Sequence, residues 1–202
     1  MAVALEHELS ALRRALLEEL REHALIKQRV KLSNGTESDY YVDAKRALNG
    51  PSGFRAVGPL VVEVAKRLGA RAVGGMTIGA DPVAYAAVAA DPDEQLAALL
   101  VRKQRKPHGM QRWIEGPKIT EGTTVLVVDD VVTTGKSTID AITRMTESGL
   151  QVVGALAVLD RMEGGRERIE AAAGVPFEAL VTIDELYPDR PAKARQSAQR
   201  PR

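Results

Sequence analysis

The segment Val125-Leu126-Val127-Val128-Asp129-Asp130-Val131-Val132-Thr133-Thr134-Gly135-Lys136-Ser137-Thr138 constrains this chain more than any other. Four apolar residues run straight into two adjacent acids. Such a run is a strand buried on both faces, as in a parallel sheet covered by helices. Asp129 and Asp130 then stand at the strand's carboxyl end, where open α/β sheets bind ligands. Thr133 to Ser137 form a turn that opens a helix, and the N–H groups and hydroxyls of such a turn can cradle phosphate. Two carboxylates suited to sugar hydroxyls, beside a phosphate nest, describe a site for a phosphorylated sugar. Gly135-Lys136-Ser137 also invites a P-loop reading. That motif needs a glycine at position 130, where this chain has an aspartate that would face the phosphates. A plain buried strand with a capped turn is the remaining alternative, although paired acids at the end of an apolar strand are uncommon without a ligand.

Elsewhere strands alternate with helices. Apolar spacing predicts a first helix over residues 5–23, a strand pair over 30–32 and 40–42 joined through Ser33-Asn34-Gly35, and a helix over 51–68. Strands are expected at 71–75, 96–101, 125–128, 152–159 and 179–183, and helices at 83–89, 137–148 and 165–173. Residues 76–82 read as a loop and 102–118 as a long polar loop. The alternation means an α/β chain with a parallel central sheet flanked by helices. One domain over residues 1–190 is expected, followed by a mobile basic tail over 191–202. With 28 basic against 27 acidic residues, the near-neutral balance argues against a general nucleic-acid binder. The absence of cysteine excludes disulfide and thiol chemistry. No apolar run is long enough to span a membrane. Glu6, Glu8, Arg13 and Arg14 interrupt the N-terminal apolar positions, so that segment reads as an amphipathic helix and not a signal peptide. A cytoplasmic location is the expectation.

A second constellation follows the strand at 96–101. Arg102, Lys103, Arg105 and Lys106, with His108, concentrate cations in one loop. Alone, such a run reads as a solvated surface or a nucleic-acid patch. Beside a phosphate nest it reads as a clamp for a diphosphate leaving group, where cations stabilise developing charge. The loop has few apolar anchors, so it can open and close over a water-sensitive intermediate.

The stretch from Val125 to Ser137 resembles the PRPP-binding signature of the type I phosphoribosyltransferases. That family's fold is a parallel sheet flanked by helices with a small N-terminal hood, here over about residues 20–45. Three further segments are similar to the orotate branch: the loop pattern R-K-x-x-K-x-H-G, the hood segment Ser38-Asp39-Tyr40-Tyr41-Val42-Asp43, and the pair Asp160-Arg161. The resemblance implies transfer of the phosphoribosyl group of PRPP to orotate, giving orotidine 5′-monophosphate and diphosphate in pyrimidine biosynthesis. It implies that PRPP is held by Lys27, Arg102, Lys103, Lys106, His108, Asp129, Asp130, Val131, Val132, Thr133, Thr134, Gly135, Lys136 and Ser137. Lys106, Asp129 and Asp130 are implied as catalytic, and Tyr41, Val42, Thr133 and Arg161 as the orotate contacts. An arginine suits orotate, whose carboxylate can accept two guanidinium hydrogen bonds. Mg²⁺ is implied, held mainly through PRPP and not by direct protein ligands. A homodimer is implied too, with the Arg102–His108 loop reaching the neighbouring site. The segment Gly75 to Pro82 lacks the lysine that many relatives place there, and Asp81 is a candidate to orient a metal-bound water or to begin a helix. A purine-specific transferase and a non-catalytic PRPP-sensing regulator are the competing readings.

Overall fold

The computed structural model describes residues 2–31, 37–104 and 113–191. The chain begins with α1 (Ala2–Glu19), which runs into a wider π-helical turn, Leu20–Ala24. Four two-residue strands follow: β1 (Leu25–Ile26), β2 (Val30–Lys31), β3 (Glu37–Ser38) and β4 (Tyr41–Val42). The pairing differs from the sequence expectation. Tyr41–Val42 pairs antiparallel with Leu25–Ile26, and Val30–Lys31 pairs with Glu37–Ser38. Short strands carry too few residues for a period-2 signal, so a turn motif at 33–35 suggested the wrong partner; that turn lies outside the described residues.

Then come α2 (Lys45–Leu48), α3 (Pro51–Arg67), β5 (Ala72–Met76), α4 (Asp81–Ala90) and β6 (Ala97–Val101). Pro51 sits at the start of α3, where its missing N–H is no loss. The chain continues through β7 (Ile114–Glu115), β8 (Thr124–Val132), α5 (Lys136–Glu147), β9 (Gln151–Asp160), α6 (Gly165–Ala173), β10 (Phe177–Thr182) and α7 (Ile183–Leu186). Part of the expected 102–118 loop is therefore strand, since Ile114 and Glu115 pair antiparallel with Val101 and Leu100. The signature strand also runs four residues past its expected end at Val128, because Val131 and Val132 continue the parallel pairing with Leu159 and Asp160.

The main sheet has the order β10-β9-β8-β5-β6-β7, parallel except at the β7 edge. Alternation along β8 explains its two-sided burial. Leu126 and Val128 join one apolar layer with α1, α3 and α4, through Leu16, Val57, Val61 and Val83. Val125 and Val127 join the opposite layer with α5 and α6, through Ile142, Met145 and Ile169. The chain builds β5 and β6 outward in one direction, then returns to place β8 on the other side of β5. That reversal opens a crevice beyond the carboxyl ends of β5 and β8, the place where such sheets bind ligands. Arg13 reaches from α1 to the Leu180 carbonyl at 2.8 Å and to Glu185. Arg21 donates to the Glu185 carbonyl at 2.6 Å, so the first helix is fastened to the last. Among the described residues, no helix is long and apolar enough to cross a membrane.

Candidate active site

Asp129 is nearly inaccessible at 4% exposure. Its carboxylate accepts from Ser137 Oγ at 2.8 Å, Thr138 Oγ1 at 2.9 Å and the Asp130 amide at 3.1 Å. Burial first, then the charge of Asp130, pushes its pKa up to about 6 against those donors. Asp130 points differently. Its Oδ1 accepts the Val131 amide at 2.9 Å, and its Oδ2 lies 3.5 Å from Lys45 Nζ. The loop between β5 and α4 presses on it, because a Cβ placed on Gly79 would stand 2.4 Å from Asp130 Oδ1. Glycine is therefore required where the loop crosses the acid.

A pH prediction follows from Asp129. A carboxylate that must be ionised to accept a ribose hydroxyl, yet titrates near 6, should lose function as pH falls through that value. The rate under limiting PRPP is expected to drop about tenfold per pH unit below it. The native state binds this proton more tightly than the unfolded chain, whose carboxyl titrates near 3.8. Acidification over that interval therefore favours the native form at this group. A pH–rate profile run beside thermal unfolding should show activity falling while the fold persists.

The turn from Thr133 to Gly135 is held from below. Gly135 is left-handed, at φ +76°, and a Cβ there would meet Ile169 at 2.8 Å. Arg168 Nε donates to the Thr134 carbonyl at 2.8 Å. The first turn of α5 thus faces outward with its free N–H groups and the positive end of its dipole. A cleft of about 450 Å³ opens there, lined by Met76, Lys103, Asp140, Arg144 and Thr133 to Ser137. Lys103 lines the same cleft as the phosphate turn. Arg102 lies beside Glu115, with Nη1 3.1 Å from Oε1. Val132 is core, so only its backbone is available to a ligand. Ser137 spends its hydroxyl on Asp129. Lys106 and His108 lie outside the described residues.

Sequence reasoning missed Lys45 and Arg144. Lys45 extends from the hood between Asp43, at 2.8 Å, and Asp130. Burial alone would lower its pKa, but Asp43 and Asp130 outweigh that and hold it above the usual lysine range. Nothing in the local sequence marks it. Arg144 donates to the Arg102 carbonyl and stacks over Trp113, with Cζ 4.1 Å from the ring centroid. The spacing of Lys136, Asp140 and Arg144, four residues apart on one helix face, was a readable signal.

On the hood side a stack of cations and rings forms. Lys27 Nζ lies 4.8 Å from the Tyr187 ring centroid, and Tyr187 meets Tyr40 edge-on at 5.7 Å. Arg161 Cζ lies 5.0 Å over the other ring, Tyr40. Tyr41 is exposed beside the buried Val42. Among the described residues, no group of three His, Cys, Asp or Glu is placed to hold a metal. Asp81 begins α4 rather than capping it, and its buried Oδ1 has no hydrogen-bond partner among the described residues. Burial raises its pKa. An orphaned acceptor at the end of the β5–α4 loop fits a metal-bound water better than a metal ion itself.

Residues 59–179 match the family described as phosphoribosyl transferase domain. An orotate phosphoribosyltransferase of Streptomyces avermitilis is 44% identical over 176 residues, covering 86% of this chain and 96% of the relative. The chain belongs to the orotate phosphoribosyltransferase family. The orotate phosphoribosyltransferase of Corynebacterium glutamicum is also 44% identical, over 86% of this chain and 93% of its own length. A solved structure of the Mycobacterium tuberculosis H37Rv orotate phosphoribosyltransferase, in complex with PRPP, superposes with a TM-score of 0.74 at 35% identity. It covers 87% of this chain and 98% of that one.

Proposed function

We infer that this chain transfers the 5-phosphoribosyl group from PRPP to orotate, giving orotidine 5′-monophosphate and diphosphate. The observation that carries the reading is the juxtaposition at the β5/β8 crevice: an acid pair on a buried strand end, followed at once by an open phosphate-binding turn. Arg161, 6% exposed at the end of the neighbouring strand, offers the cation that a carboxylate-bearing base needs. A purine base has no such need.

In this reading the 5′-phosphate sits on the α5 turn, and that remote binding energy fixes the reacting carbon. Asp129 and Asp130 accept the ribose hydroxyls. Their charge favours the oxocarbenium-like sugar that forms as the bond to diphosphate breaks. The ring nitrogen of orotate then attacks from the hood side, where Tyr41, Val42 and Thr133 line the base. Lys103, with Lys106 and His108, neutralises the departing diphosphate. Mg²⁺, held mainly through PRPP, would supply charge screening at the diphosphate, and Asp81, whose buried Oδ1 has no hydrogen-bond partner among the described residues, would accept from one of its waters. The homodimer, with the Arg102–His108 loop crossing to the neighbouring site, is part of the same proposal and rests on family resemblance.

Loss of orotate absorbance that requires both PRPP and Mg²⁺, and stops with EDTA, is the expected result. Turnover of adenine, guanine, hypoxanthine or xanthine in place of orotate would overturn it. Lys45 adds a second expectation. It supplies the cation beside Asp130 that the β5–α4 loop lacks, so Lys45→Met should raise the PRPP KM about tenfold. The orotate KM should hold, and Lys45→Arg should restore much of the loss. An unchanged PRPP KM would assign Lys45 to hood packing alone.

A further inference from the structure

Arg161 is held from three sides and lacks a fourth partner. Its amide donates to the Val132 carbonyl at 2.9 Å, tying it to the end of β8. Its guanidinium lies over Tyr40, with Nη2 3.4 Å from the Tyr40 hydroxyl. The same Nη2 pairs with Glu163 Oε1 at 2.8 Å, both side chains being largely buried. Nε is buried with no hydrogen-bond partner among the described residues. The backbone presents Glu163 deliberately. Asp160 accepts the Met162 amide at 2.8 Å, and Met162 turns left-handed at φ 57°. Arg168 then grips the Glu163 carbonyl from the far side.

A buried guanidinium without a counter-anion is strongly unfavourable, and an anion exchange is far easier than stripping the cation bare. We propose that Glu163 is the internal stand-in for the substrate carboxylate: it occupies Arg161 in the empty site and yields the position when orotate binds. This rests on the reading in which Arg161 receives the orotate carboxylate. A base bearing a carboxylate replaces one anion by another and also satisfies Nε in a two-pronged pair. A neutral base has nothing to offer in exchange, and Arg161 stays closed by Glu163. Glu163 therefore sets both the affinity for orotate and the rejection of uncharged pyrimidines.

The test is steady-state kinetics on the full-length protein carrying Glu163→Gln, Arg161→Gln, or both. Glu163→Gln keeps the shape and removes the competing charge, so the orotate KM should fall about three- to tenfold while the PRPP KM stays put. Arg161→Gln should raise the orotate KM about a hundredfold. In that background Glu163→Gln should do nothing further. If Arg161→Gln raises the orotate KM but Glu163→Gln leaves it unchanged or raises it, the exchange is wrong and the role of Arg161 survives. If Arg161→Gln leaves the orotate KM alone, the assignment of Arg161 falls and the exchange falls with it. Should Glu163→Gln fold poorly by thermal unfolding, Glu163→Asp shortens the reach and should move the orotate KM in the same direction; a rise would refute the idea.

Discussion

Replacing Asp130 with asparagine should lower kcat by about 10²- to 10³-fold while the protein stays folded. The side chain keeps its shape, and its oxygen can still accept the Val131 amide that Asp130 Oδ1 accepts at 2.9 Å. What is lost is charge. The oxocarbenium-like sugar would no longer meet an anion, and Lys45 Nζ, 3.5 Å away, would face a neutral group. That lysine would then bias the site against positive charge on the ribose. Turnover measured at saturating PRPP and orotate, with thermal unfolding as the control for the fold, decides the matter. Near-normal turnover would remove the acid pair from the chemistry and leave it a purely structural feature of the β8 end.

Gly74→Ala should be among the most damaging small substitutions in the sheet. A Cβ on Gly74 would stand 2.0 Å from the Leu99 carbonyl oxygen and 2.8 Å from the Leu99 Cβ. Both atoms belong to a paired strand held in register by its neighbour, so neither can rotate away. Separating β5 from β6 would disturb the crevice at their carboxyl ends as well. A loss of about 3–5 kcal/mol in urea unfolding is expected, from overpacking a rigid core. The same change at Gly69 is the comparison. There φ is +69° and no atom lies within 4 Å, so only left-handed strain is added. About 1–2 kcal/mol should be lost. Equal effects at the two positions would show that backbone strain, and not the fit of β5 against β6, governs this region.

The features legible in the sequence are those with dense local signals. The run before Asp129 had to be a doubly buried strand, because only a covered parallel sheet accepts so continuous an apolar segment. The α6 helix occupies the expected residues, bracketed by Gly164 and Gly174, both left-handed. The reach of β8 to Val132 was missed, since two acids look like a strand's end even when the pairing continues through them. The hood was misread because its strands are two residues long and choose partners by tertiary contact. Lys45, Glu163 and Tyr187 carry no motif at all. Each acquires meaning only when distant segments meet: Lys45 across the crevice at Asp130, Glu163 against Arg161, and Tyr187 between Lys27 and Tyr40.

The fastening of α1 to the far end of the chain carries a consequence for biosynthesis. Arg13 and Arg21 find their acceptors at Leu180, Glu185 and Leu186, more than 160 residues downstream. On a translating ribosome the first helix can pack on α3 well before residues 180–186 are made, so its charged side chains wait for their acceptors. Tyr187, which completes the ring stack behind Arg161, is made later still. A nascent chain can therefore assemble its phosphate turn while the pocket for the base is still unfinished. A chain terminated between Thr182 and Tyr187 should fold its sheet and still fail to choose a substrate.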